Sequence, residues 1–90
     1  MAKIEKEITI TNKLGLHARP AAEFVKAASQ SQSEIYITKD GERIDGKSIM
    51  GILTLEAHCG TKIVLEVDGE DAEEIFSVLV RILEGNGTDE

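Results

Sequence analysis

The sequence predicts an α+β fold in which one open sheet carries its helices on a single side. Three observations predict it. Four short segments present one apolar and one polar face, as strands do when a sheet is buried on one side and wetted on the other. Three further segments carry helical spacing or helix caps. These interleave as strand, helix, strand, strand, short helix, strand, helix, for which a single sheet with helices on one side is the economical solution. Periodicity leaves the strand order within the sheet open.

In the first strand, about 4 to 11, Ile4, Ile8 and Ile10 share one parity and Glu5, Glu7 and Thr9 the other. After Leu14-Gly15-Leu16 the period changes. Ala21, Phe24, Val25 and Ala28 fall at i, i+3, i+4 and i+7, so a helix is expected from about 18 to 29. The lone proline, Pro20, lies in its first turn, where the missing N–H would have had no intrahelical acceptor. Leu16 before the cap and Ala21 inside are placed to form a hydrophobic staple.

Ile35-Tyr36-Ile37-Thr38 and Arg43-Ile44-Asp45 flank Lys39-Asp40-Gly41-Glu42, whose central Asp-Gly suits a two-residue hairpin turn needing positive φ. Ile37 is then expected to face Ile44. Ser48 is a suitable N-cap for a short helix over about 49 to 55, followed by a strand from Thr61 to Val67 with Ile63, Leu65 and Val67 buried. Asp71-Ala72-Glu73-Glu74 resembles a capping box. Ile75, Phe76, Leu79, Ile82 and Leu83 make the stripe of the last helix, which Gly85 closes. The end from Gly85 to Glu90 reads as frayed.

Ninety residues, 41% hydrophobic and 30% charged, support one domain over residues 1–90, with an ordered core of about 4–85. Seventeen Asp/Glu against ten Lys/Arg give a net charge of −7, which argues against a sequence-independent grip on nucleic acid phosphates. Most of that charge lies beyond residue 65. It reads as a solvated helix face, with an acidic docking tail as the alternative. No apolar run is long enough to cross a bilayer and the first residues lack the apolar core of a secretory signal, so a cytoplasmic protein is expected. The one cysteine, Cys59, has no partner for an internal disulfide, and beside His58 it makes no metal-ligand spacing. A loop histidine next to a buried cysteine is expected there, and no metal or other cofactor.

Gly15-Leu16-His17-Ala18-Arg19-Pro20 is the segment that points to chemistry. It puts an imidazole at a helix N-terminus, where unpaired N–H groups and the positive end of the helix dipole attract anions, and Arg19 adds a fixed charge. Imidazole is largely neutral and nucleophilic near pH 7, so His17 has the chemistry of a phosphoryl acceptor. A plain turn residue is the alternative. Ser48 has a structural reason to be present as a cap, and a phosphate there would also suit the helix end. A two-turn helix cannot bury every apolar residue over 49–55, so some of Ile49, Met50 and Leu53 are expected to form an exposed docking patch.

Gly15-Leu16-His17-Ala18-Arg19-Pro20, followed about thirty residues later by Lys47-Ser48-Ile49-Met50-Gly51, resembles the histidine-containing phosphocarrier (HPr) family of the bacterial phosphoenolpyruvate:sugar phosphotransferase system. The likeness runs from about Ile4 to Gly85. It implies an open-faced β-sandwich (βαββαβα), a four-stranded antiparallel sheet covered on one face by three helices. It also implies a covalent carrier rather than an enzyme. By that resemblance His17 is phosphorylated on ring Nδ1, Arg19 steadies the phosphoryl group, and Ser48 is a regulatory site for an ATP-dependent HPr kinase/phosphorylase. The implied partners are Enzyme I as donor, IIA domains of sugar permeases as acceptors, and a transcriptional regulator that reads the serine-phosphorylated form. The resemblance implies a monomer. The presence of His17 argues against paralogues that lack the histidine. Two alternatives stay open: a nitrogen-branch phosphocarrier, and an anion-binding regulatory module that is not phosphorylated.

Overall fold

The computed structural model describes residues 2–13 and 15–85. Its elements are β1 (Ala2–Thr9), α1 (Ala18–Gln30), β2 (Glu34–Lys39), β3 (Glu42–Asp45), α2 (Ile49–Thr54), β4 (Lys62–Gly69) and α3 (Ala72–Glu84). The strands form one antiparallel sheet in the order β1-β4-β2-β3. The element order matches the expected βαββαβα. β1 begins earlier than its apolar pattern and stops at Thr9, yet Ile10 keeps ladder-like bonds, donating to the Thr61 carbonyl at 2.8 Å and accepting from the Gly60 N–H at 2.7 Å.

Alternation along β4 shows which face is covered. Ile63, Leu65, Val67 and Gly69 are buried while Val64, Glu66 and Asp68 are partly exposed. Ile35 and Ile37 of β2 join them beneath Phe24 and Ala28 of α1, Ile52 of α2, and Leu79 and Leu83 of α3, in one hydrophobic core. The hairpin follows its turn chemistry: Asp40 and Gly41 take φ of 51° and 83°, and Ile37 pairs with Ile44. Leu16 and Ala21 are both buried, as a staple requires. In α3 the buried residues are Ala72, Ile75, Leu79 and Leu83, with Phe76 and Ile82 half-buried at the edge of the stripe, and Gly85 closes the helix at φ 72°. The expected frayed end beyond Gly85 lies outside the described residues.

The wetted face carries a chain of side chains across all four strands. Arg43 of β3 lies 3.7 Å from the centre of the Tyr36 ring on β2 and donates to Glu66 of β4 at 3.3 Å; Lys3 of β1 lies 3.4 Å from the same carboxylate oxygen. Partial burial opposes ionisation of Glu66. The hydrogen bond and charge of Arg43, with the charge of Lys3, outweigh it and hold this carboxyl below its ordinary range.

The capping box expected at α3 does not form, because Asp71 makes no side-chain cap. Its carboxylate instead accepts from the Ser33 hydroxyl at 2.5 Å, the Ser31 hydroxyl at 2.9 Å and the Gln32 N–H at 3.3 Å, tying the turn after α1 to the start of α3. Ser33 is fully buried and Ser31 nearly so, so their hydroxyls need partners inside the protein. The Ser33 bond first, then those of Ser31 and Gln32, hold the Asp71 carboxyl below the ordinary aspartate value against an opposing effect of burial. A depressed carboxyl stabilises the fold fully above its unfolded pKa, and that contribution is lost as pH falls through the folded value. Melting temperature should therefore fall as the pH drops below about 4, and Asp71→Asn should lower it at neutral pH and flatten the acid slope. An unchanged acid slope in thermal circular dichroism would assign that slope to other carboxylates.

Candidate functional site

α1 begins where the sequence places it. His17 is the N-cap, with φ −97° and ψ −164°, and its carbonyl accepts the first helical bond from the Ala21 N–H at 2.9 Å. Its side chain makes no cap hydrogen bond, no acidic residue occupies the first turn, and the residue is exposed. The imidazole is thus not consumed in holding the helix together, and the helix end keeps its positive character. Arg19 follows one residue into the helix. Its side chain is 72% exposed, with Nε 3.8 Å from Glu23 one turn on. Pro20 is buried, which fixes the first turn against the core.

A second loop supports this cap. Leu16 N–H donates to the Ala57 carbonyl at 2.8 Å, and Gly15 sits so close that a Cβ there would lie 2.5 Å from that oxygen and 2.9 Å from His58 Cα. Gly15 also holds φ 72°, so the position requires glycine on both counts. Ala57 is buried, whereas His58 and Cys59 are exposed. The expectation of a buried Cys59 is corrected here. Ala57 fills the one inward position, and the chain then turns outward to Gly60 at φ 95°. Among the described residues no group of His, Cys, Asp and Glu is arranged to hold a metal ion.

Ser48 caps α2, its hydroxyl accepting the Gly51 N–H at 3.0 Å. Ile52 is fully buried and Ile49 half-buried, while Met50 and Leu53 are 67% and 37% exposed. The expected apolar patch therefore consists mainly of Met50 and Leu53.

The two helices pack together, and the bonds at their ends make them run in opposite directions. The loop leaving α2 meets the start of α1 through Leu16 and Ala57, while Lys47, just before α2, donates to the Ser31 carbonyl at the far end of α1 at 3.1 Å. The start of α1 therefore adjoins the loop leaving α2, and Ser48 caps the entrance of α2, a helix of six residues and roughly 9 Å. His17 and Arg19 share the start of α1, whereas Ser48 lies at the entrance of α2, whose exposed apolar residues are Met50 and Leu53. Sequence reasoning gave no sign of Lys39, which reaches across to the exit of α2, or of the positive φ at Glu56. No glycine marks that turn.

Among the described residues no helix is long and apolar enough to cross a membrane. The model of the family described as "PTS HPr component phosphorylation site" matches residues 4–85. Phosphocarrier protein HPr of Neisseria meningitidis serogroup A is 46% identical over 82 residues, covering 91% of this chain and 92% of the relative. HPr-like protein Crh of Halalkalibacterium halodurans is 42% identical over 81 residues, 90% of this chain and 96% of that one. The crystal structure of HPr-C-His from Thermoanaerobacter tengcongensis superposes with a TM-score of 0.88 at 44% identity, covering 97% of this chain and 98% of that one. With the fold, the pattern of its elements and this extent of likeness in agreement, the chain belongs to the HPr family of phosphotransferase-system phosphocarriers, which are carriers and not enzymes.

Proposed function

We propose that this chain is a cytoplasmic phosphocarrier that accepts a phosphoryl group from Enzyme I on His17 and passes it to IIA domains of sugar permeases. The observation that carries this reading is the exposed imidazole at the start of α1, uncommitted to capping, in a chain of this family. The His17 Nδ1 lone pair attacks phosphorus as the bond to Enzyme I breaks, and the reverse sequence delivers the group to the acceptor. The helix N-terminus favours the arriving negative charge, and Arg19 adds a mobile cation that steadies it. Both are moderate effects at an exposed site, which suits a carrier that must release its cargo. The partners supply the remaining contacts of the transition state.

Incubation with phosphoenolpyruvate and Enzyme I, followed by intact-mass measurement, tests this directly. Gain of one phosphoryl group that is acid-labile and alkali-stable is the expected result; no gain in mass overturns the reading. HPr from Thermoanaerobacter tengcongensis has also been solved as a dimer. Transfer through His17 requires one copy only, since Arg19 and the apolar residues of α2 belong to the same chain, and a monomer is the unit proposed.

Ser48 we assign as a regulatory site for an HPr kinase/phosphorylase, its phosphorylated form being read by a transcriptional regulator. Crh, which resembles this chain, is described as the catabolite repression HPr of Bacillus subtilis. A phosphate on Ser48 keeps an oxygen acceptor for the Gly51 N–H, so α2 survives. It also places negative charge beside Ile49, Met50 and Leu53, where a docking partner must strip water from it. Ser48→Asp should leave the circular dichroism spectrum intact and slow acceptance from Enzyme I by about tenfold. A rate equal to the parent's would reduce Ser48 to a cap.

A further inference from the structure

We propose that Lys39 is a positioning residue for His17, acting through a chain of backbone contacts from the end of β2 to the cap of α1; the inference rests on His17 being the phosphoryl acceptor and deepens that reading. Lys39 is the last residue of β2, and its Nζ donates to two main-chain carbonyls, Leu55 at 2.7 Å and Glu56 at 3.3 Å. These belong to the exit of α2, where the last carbonyls lack helical partners and the negative end of the helix favours a cation. They are also the carbonyls of the two peptide groups on either side of the Glu56 Cα.

Glu56 has φ 53°, the left-handed region that a residue with a Cβ seldom adopts. Such a conformation persists where its surroundings over-determine it. By gripping both flanking peptides, Lys39 is the side chain that holds it. The next residue, Ala57, is buried, and its carbonyl receives the Leu16 N–H at 2.8 Å, immediately before His17. The connection thus runs Lys39 ammonium, peptides flanking Glu56, Ala57 carbonyl, Leu16 amide, His17. Without the ammonium, Glu56 relaxes, the Ala57 carbonyl turns from Leu16, and the imidazole spreads over more orientations. Fewer encounters then reach in-line geometry, and small misplacements of reacting groups have large effects on rate.

The test uses the full chain with Lys39→Met, which keeps the aliphatic stem, and Lys39→Arg, which restores donors. Lys39→Met should speed hydrogen exchange at the Leu16 amide and lower kcat for acceptance from Enzyme I on the order of tenfold. KM should stay near the parent's, because Met50 and Leu53 are untouched. Lys39→Arg should recover both readouts. Glycine at position 56 removes the left-handed penalty, so Lys39→Met should lose less in a Glu56→Gly background, which also serves if Lys39→Met alone fails to fold. Parental Leu16 exchange in Lys39→Met overturns the proposal. So does a raised KM at unchanged kcat, which would make Lys39 part of the docking surface. If the parent itself accepts no phosphoryl group, the reading of His17 fails, and Leu16 exchange still decides whether Lys39 holds the loop.

Discussion

His17→Ala is expected to abolish phosphoryl acceptance from Enzyme I, while His58→Ala leaves the rate near the parent's. Both histidines are exposed, so access does not separate them. Their surroundings do. His17 opens a thirteen-residue helix with Arg19 in its first turn, whereas His58 lies in a tight loop, its N–H donating to Thr61 Oγ1 at 3.1 Å and its carbonyl accepting the Thr61 N–H at 2.9 Å. Because the His17 side chain makes no cap hydrogen bond, its loss should change stability by no more than about 0.5 kcal/mol, as for other surface substitutions. Intact mass after incubation with phosphoenolpyruvate and Enzyme I, beside a thermal melt, separates lost chemistry from lost fold. Labelling of His17→Ala at the parent's level would move the acceptor elsewhere.

Phe24→Ala should lower stability far more than any substitution at the exposed site. Phe24 is fully buried in the middle of α1, among Ile and Leu side chains from the sheet and the other helices. Truncation removes a ring from a close-packed interior whose neighbours, fixed by the ladder, relax only in part. A loss of about 3–5 kcal/mol follows, large against the 5–15 kcal/mol by which ordinary domains are stable. The melting temperature should drop by more than about 10 °C. Urea titration should show a lower midpoint at an unchanged slope. A drop of only a few degrees would mean that α1 is anchored mainly by Pro20, Ala21 and Ala28.

Local rules made much of the fold legible. The Asp40-Gly41 turn set the pairing of Ile37 with Ile44, alternation marked the buried side of β4, and the serine at 48 and glycine at 85 bounded their helices. What the sequence hid depends on contacts between distant segments. Asp71 reads as a cap because its neighbours in sequence suit one; its actual partners, Ser31 and Ser33, arrive from the turn after α1. Cys59 reads as core by composition, yet Ala57 occupies the single inward place. At the candidate site, His17, Arg19 and Ser48 could be picked out by their positions at helix starts. Lys39 and Glu56 could not, since a lysine reaching another element's carbonyls and a left-handed glutamate leave no local pattern.

The strand order has a consequence for how the protein comes to be folded. β4 lies between β1 and β2, so the last strand among the described residues is one of the two inner strands of the sheet. Among the described residues β1 pairs only with β4, across a span of more than fifty residues. While the chain is being synthesised, the β2–β3 hairpin and α1 can form, but β1 has no strand to join until Lys62–Gly69 has left the ribosome. Closing so long a loop is an entropic cost met in one step, when β4 arrives between its neighbours. Folding should therefore be a late, cooperative event at the moderate speed of mixed α/β domains. A chain cut before residue 62 keeps the segment corresponding to α1 and its cap but loses the strand that joins β1 to β2.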